Sequence, residues 1–220
     1  MSAAPDTLAE PLLETPLAQR RAAGAEAVAF QGALAQGVFS TLDAELGALT
    51  TGAGIFDLGY RTSLKITGAD RVRWLNGMVT NTVKALPEGR WNYSFLLNAQ
   101  GRIQGAANIY CADNTLFFET DRSQIARLSA HLRRYIIMDK VELQPLDASR
   151  TIIGIAGPRA AEILEGLGAT VPEEGAFAVS SVNGIEIILA HAHSPLSPRF
   201  ELVLASESLE ELWSALENSG

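Results

Sequence analysis

NYSFLLNAQGRIQGAANIY, residues 92–110, reads as two strands joined by a tight turn. Its second strand carries Gln104, Gly105, Ala106 and Asn108, so the hairpin offers no carboxylate. Working outward, the flanking segments extend the hairpin into a sheet. Residues 62–67 alternate as a strand with Leu64 and Ile66 on one side, and 116–120 and 140–143 supply two more. Val72, Leu75, Met78 and Val79 make the apolar stripe of one helix. Ile125, Leu128, Leu132 and Ile136 repeat at helical spacing in a second, whose basic end suits its dipole. Strands and helices do not alternate regularly, so this half is expected to be α+β with a largely antiparallel sheet.

Upstream, residues 1–25 are rich in Ala, Leu, Pro and Glu and read as a frayed lead-in, and 42–49 as a short helix. A second unit begins near Arg150. Residues 151–156 form a strand, and Gly157-Pro158 turns it into a helix with proline at its first position. Residues 177–182 and 185–190 flank Asn183-Gly184, a dipeptide suited to a hairpin turn in which both central residues take positive φ. Residues 200–204 are another strand, and Leu209, Leu212, Trp213 and Leu216 face the core from a closing helix. The order β-α-β-β-β-α resembles a ferredoxin-like sandwich with one extra or rearranged strand. The expectation is therefore a lead-in over 1–25, an α+β domain over 26–148 and a ferredoxin-like α+β domain over 149–220, meeting near 145–152.

The chain has 220 residues, 47% of them hydrophobic and 19% charged, which suits a globular protein with a real core. Its apolar runs are strand-length, too short to cross a bilayer, and the first residues lack the pattern of a secretory signal. No membrane partner is expected, and the cytoplasm is the expected compartment. A net charge of −8 argues against general nucleic-acid binding, which needs surplus cations. Arg122, Arg127, Arg133 and Arg134 form either a solvated helix face or a small site for an anionic ligand. Cys111 is the only cysteine, which excludes an intrachain disulfide and a CxxC metal site.

His191 and His193 share a strand face but supply at most half a metal site, so no metal is expected. GIAGPRA, residues 154–160, is a strand–turn–helix without the spacing of a phosphate loop, and reads as a structural turn. Ser180, Ser181 and Ser194 lack a nucleophile-elbow context. Glu119 and Asp121 end a strand on one face. Either Asp121 caps the next helix while Glu119 is solvated, or Glu119 meets an amidine-like edge of a heterocycle through parallel N–H bonds.

FDLGYRTSLKITGADRVRWLNGMVTNTVKAL (56–86), followed by YSFLLNAQGRI, resembles the folate-binding superfamily of the glycine cleavage T-protein (aminomethyltransferase) and YgfZ. IIGIAGPRAAEIL (152–164) resembles its second block, and AFQGALAQ and LDAELGALTTGAGIFD resemble its entry segment. The T-protein's catalytic Asp-Asp pair aligns with Gly105 and Ala106, and its pterin-reading Tyr-Thr-Gly-Glu turn with residues 195–197, where it is missing. No catalytic residue is therefore assigned. ETDRS (119–123) and RRYIIMDKVEL (133–143) look closer to the YgfZ branch. Its Lys-Gly-Cys-Tyr-x-Gly-Gln-Glu signature and final β-barrel domain are absent from these residues.

The resemblance implies a tetrahydrofolate-binding protein acting in iron–sulfur protein maturation or repair, with iron–sulfur client or assembly proteins as partners. Its expected site is a cleft lined by Gly105, Ala106, Phe117 and Glu119. Phe117 would stack on the pterin, Glu119 would pair with its N–H edge, and Arg122 or Arg127 would meet the anionic tail. Gly105 and Ala106 would stay small so that the ring can approach. The alternatives are a folate-dependent methyl or aminomethyl transferase using another acid, such as Glu119 or Asp57, and a scaffold that has lost the ligand.

Overall fold

A computed structural model describes residues 12–19, 27–146 and 149–219. The entry segment gives β1 (Leu13–Glu14), α1 (Pro16–Gln19), β2 (Ala27–Phe30) and β3 (Ala33–Gln36). Next come α2 (Leu42–Thr51), β4 (Gly54–Asp57), β5 (Arg61–Thr67) and α3 (Arg71–Asn76). The hairpin β6 (Arg90–Leu97) and β7 (Ile103–Ala112) leads to β8 (Thr115–Asp121), α4 (Arg122–Arg133) and β9 (Glu142–Pro145). The chain continues through β10 (Arg150–Ala156), α5 (Ala160–Gly166), β11 (Phe177–Val182), β12 (Ile185–Ala192), β13 (Arg199–Ala205) and α6 (Leu209–Glu217). Of the lead-in expected over 1–25, only 12–19 lie within the described residues. Among the described residues no helix is long and apolar enough to cross a membrane.

The architecture is α+β with antiparallel five-stranded sheets and flanking helices, as the sequence pattern predicts. The first runs β6-β7-β8-β5-β9, and one of its faces packs on α3 and α4 through Leu64, Ile66, Leu75, Ile109, Phe118, Leu128 and Leu132. The second runs β11-β12-β13-β10-β4 and packs on α5 and α6 through Ile153, Ile155, Leu164, Phe200, Leu202 and Leu212. Strand β4 pairs with β10 at the edge of this sheet although it precedes β5 in the chain, so one of its five strands comes from outside residues 149–220. Asn183 and Gly184 take φ of 51° and 80°, the twist a two-residue hairpin requires.

Four element boundaries differ from the sequence reading. The helix expected to reach Val79 stops at Asn76. Gly77 follows it, and the Asn76 side chain accepts from the Val83 and Lys84 N–H groups, gathering the loop. Met78 and Val79 still pack on the same core. Helix α4 stops before Ile136, because the N–H groups of residues 134–136 turn to carbonyls three residues back. The strand expected from 140 starts at Glu142, since Lys140 N–H and C=O are taken by Asp70. Pro158 lies in the turn before α5, which begins at Ala160; Gly157 has φ 137° and Arg159 N–H bonds to Gly52.

Asp57 fastens the entry segment to this frame. Thr15 Oγ1 donates to its Oδ2 at 2.5 Å and Gln36 N–H at 3.0 Å, while Gly59 N–H reaches Oδ1 at 2.8 Å. The two five-stranded sheets meet at the edges of β6 and β11, where Phe177 N–H bonds to Gly89 and Trp91 N–H to Gly175. Arg90 adds an ion pair to Glu173 at 2.8 Å.

Candidate functional site

Alternation sorts the hairpin into two faces. One face carries Leu96, Gly105, Ala107 and Ile109 into the core under α4. The other carries Trp91, Tyr93 and Phe95 from β6, opposite Tyr110, Asn108 and Ala106 of β7. Strand β8 adds Phe117 and Glu119, in register with Tyr110 and Asn108. This second face turns toward β11 and β13. Tyr110 stacks with Trp91 at 5.7 Å and meets Phe177 edge-on at 5.3 Å. Tyr93 and Phe95 form an edge-to-face pair at 5.4 Å and are 53% and 38% exposed, an aromatic ledge open to solvent.

Glu119 lies beside this ledge and is 3% exposed. Arg61 Nη2 is 2.7 Å from its Oε1, and Asn108 Nδ2 donates to the same oxygen at 3.4 Å. Burial pushes the Glu119 carboxyl up to about 7, and Glu201 adds to the rise; Arg61, Asn108 and Tyr110 act against it. Burial also works against the Arg61 charge, but Glu119 and Glu201 more than offset it and raise its pKa. One cation shared between two anions stays charged, and Glu119 keeps part of its desolvation penalty. Tyr110 is a phenol pushed well above its usual range, chiefly by burial.

The structure brings Phe117, Glu119 and Ala106 to one face, as expected. Gly105 belongs to the other face. A Cβ there would meet Gln124 Oε1 at 2.6 Å and Leu128 methyls at 2.8 and 2.9 Å, so its smallness admits helix α4 and not a ligand ring. Arg127 is on that helix side too, donating to the Gln104 carbonyl. Arg122 reaches the Gly59 carbonyl through Nε at 3.1 Å and ties the start of α4 to the loop before β5. Arg133 donates to the Leu143 carbonyl at 2.9 Å. The basic run is thus largely spent on backbone oxygens. Asp121 makes no side-chain cap; it accepts from Gln124 Nε2 at 3.0 Å.

The remaining motifs resolve simply. His191 Nδ1 lies 3.0 Å from the Pro172 carbonyl and His193 pairs with Glu174; among the described residues no cluster of three metal-ligating groups occurs. The N–H groups of the 157–160 turn bond to Pro198, Gly52 and Gly157, which leaves them no anion to meet. Asp57, the other acid considered, borders a groove of about 460 Å³ between α2 and α6, but Thr15, Gln36 and Gly59 occupy its oxygens.

Sequence reasoning missed Arg61, Glu201, Tyr93 and Tyr110. Glu201 carried a signal, a charge amid the apolar residues of RFELVLA, the mark of a buried partner. Arg61 carried none, since its partners lie 58 and 140 residues away in sequence. As a ligand surface, the face offers exposed rings, a buried carboxylate and, in Trp91 Nε1, a buried donor without a partner. A flat heteroaromatic with N–H and carbonyl edges fits that chemistry.

Comparisons with known proteins agree with this architecture. Residues 18–220 match the family model described as GCVT N-terminal domain. An aminomethyltransferase of Chloroherpeton thalassium is 28% identical over 202 residues, covering 90% of this chain and 56% of that protein. One from Chlorobaculum tepidum is 27% identical, covering 92% and 57%. The chain thus spans somewhat over half the length of these relatives. Glycine cleavage system aminomethyltransferase T from Bartonella henselae superposes with a TM-score of 0.80 at 21% identity, over 94% of this chain and 57% of that one.

Proposed function

We propose a function for this chain from the premise that it belongs to the GCVT N-terminal domain family. The chain is a folate-binding protein of the T-protein kind, and a reduced folate is its ligand. The observation that carries this reading is Glu119, a nearly buried carboxylate set beside an open aromatic ledge. Tyr93, Phe95 and Phe117 would hold the heterocycle by stacking. Glu119, oriented by Arg61 and Asn108, would accept its N–H groups. Ala106 leaves the middle of the face low. A bound tetrahydrofolate supplies the carrier for a one-carbon unit; the protein's part is to bind, orient and screen it from water.

The finer reading places the chain in the YgfZ-like branch, acting in iron–sulfur protein maturation. ETDRS and RRYIIMDKVEL support it, as does Ala106 where T-proteins carry an acid. A second reading is favoured by the setting of Glu119, buried against Arg61 and Asn108 on the aromatic face. A carboxyl near 7 on the ligand face can both take and give a proton at neutral pH, which suits a transferase using Glu119. The relatives reported above carry the aminomethyltransferase name, which supports this second reading.

Calorimetry with tetrahydrofolate tests the common core of both. Glu119→Ala is expected to weaken binding by about 1.5–3 kcal/mol, a charge-assisted hydrogen bond, or about tenfold or more. Unchanged affinity removes Glu119 from the site, and a wild type that binds no folate leaves a scaffold. One-carbon transfer from an aminomethylated carrier protein separates the two finer readings: turnover selects the transferase, and none is expected of the YgfZ-like protein.

A further inference from the structure

We propose that Arg61, braced by Glu201 from the opposite sheet, is a positioning residue that fixes the orientation and charge of Glu119 on the aromatic face. The inference rests on reading that face as a reduced-folate site. Arg61 opens β5, Glu119 lies on the neighbouring β8, and Glu201 lies on β13 of the other sheet. Arg61 Nη2 approaches Glu119 Oε1 at 2.7 Å, while Nη1 spans both Glu201 oxygens at 3.1 and 3.2 Å. One planar guanidinium therefore forks between two carboxylates, one from each sheet, in a fixed geometry that the compact ammonium of a lysine does not reproduce.

Arg199 extends the chain of charges. Its Nη2 donates to Glu201 Oε1 at 2.9 Å, and its guanidinium lies 5.3 Å from the centre of the Phe56 ring. With Glu119 ionised, the sequence Glu119–Arg61–Glu201–Arg199 alternates in sign and sums to zero. Glu119 is faced by Asn108 and Tyr110 from β7, by Arg61 and the paired Ser63 from β5, and by Glu201 from β13. Tyr60, Asp121 and Arg199 complete the charged and titratable surroundings of Arg61 and Glu201. Because Glu119 and Glu201 compete for one cation, weakening one hold strengthens the other. Loss of Glu201 also removes a like charge that raises the Glu119 carboxyl, and loss of Arg61 removes the cation that lowers it.

The two losses should therefore have opposite signs, which a packing role does not produce. The test titrates the Glu119 carboxyl by carbon-13 NMR in the full chain, the resonance being identified by its disappearance in Glu119→Gln. Glu201→Gln, a near-isosteric change, is expected to move the midpoint down by about one unit or more, and Arg61→Met to move it up by a similar amount. Arg61→Lys, charged but without the planar fork, should fall between Arg61→Met and the wild type. If Arg61→Met does not fold, Glu201→Gln and Arg61→Lys decide. The midpoint of pH-dependent tetrahydrofolate affinity should move with the NMR midpoint. Folate binding with an unmoved carboxyl, or shifts of one sign in Glu201→Gln and Arg61→Met, overturns the proposal. Opposite shifts in a chain that binds no folate uphold the positioning role and overturn the folate reading instead.

Discussion

Glu119 is held above the ordinary carboxylate range by burial, at about 7, and this links its proton to folding. The folded chain binds that proton more tightly than the unfolded chain, whose Glu titrates near 4.3. The resulting stability is complete below about pH 4 and is lost as pH rises through 7. Urea titrations should show the wild type losing stability relative to Glu119→Gln between pH 5 and 7, by up to about 1.4 kcal/mol per pH unit. A flat difference across that range would show that the site does not retain the proton. Glu119 was legible in the sequence as a candidate because strand alternation put it beside Phe117. Its cation was not, because a pair made by tertiary packing leaves no local spacing to read. Gly105 shows the converse limit. Its smallness is visible in the sequence, but which neighbour needs the room, Leu128 of α4, is decided only by the face on which the strand packs.

At the scale of elements, β4 and β10 depend on one glycine. A Cβ on Gly154 would meet the Phe56 ring at 2.2 Å, so the ring lies across the bare backbone of the neighbouring strand. Gly154→Val should lift Phe56 and cost about 1–3 kcal/mol, as overpacking does. In a Phe56→Ala background the same change should cost clearly less, and equal costs in chemical denaturation would show the two to be uncoupled. The β6–β7 and β11–β12 hairpins were legible because alternation, Asn183-Gly184 and the Asn98–Arg102 turn act locally. The ends of α3 and α4 were not. Apolar spacing continues through Val79 and Ile136 while the backbone leaves the helix, because both side chains reach the same core from the segment that follows it.

For the molecule as a whole, the three-stranded entry sheet β1-β3-β2, the two larger sheets and the aromatic face converge on the segment from Gly54 to Arg61. Asp57→Ala should leave the Thr15 hydroxyl and the Gln36 and Gly59 amides without their acceptor and cost about 3 kcal/mol or more. Hydrogen exchange should report faster opening at residues 33–36 first; unchanged protection there would mean that the entry sheet is held by other contacts. The sequence reading recognised antiparallel α+β packing, because each sheet has its own apolar periodicity. It could not assign β4, whose partner is fixed only by long-range pairing. That pairing sets a schedule for the ribosome. Ile55 and Phe56 are made about 100 residues before Gly154 and Ile155, the positions that receive them. At about 5–20 residues per second, the strand emerges and waits on the order of 5–20 s with its edge unpaired. Nascent chains stalled before residue 150 should therefore recruit holding chaperones to the 54–57 segment, and release them once β10 has cleared the exit tunnel.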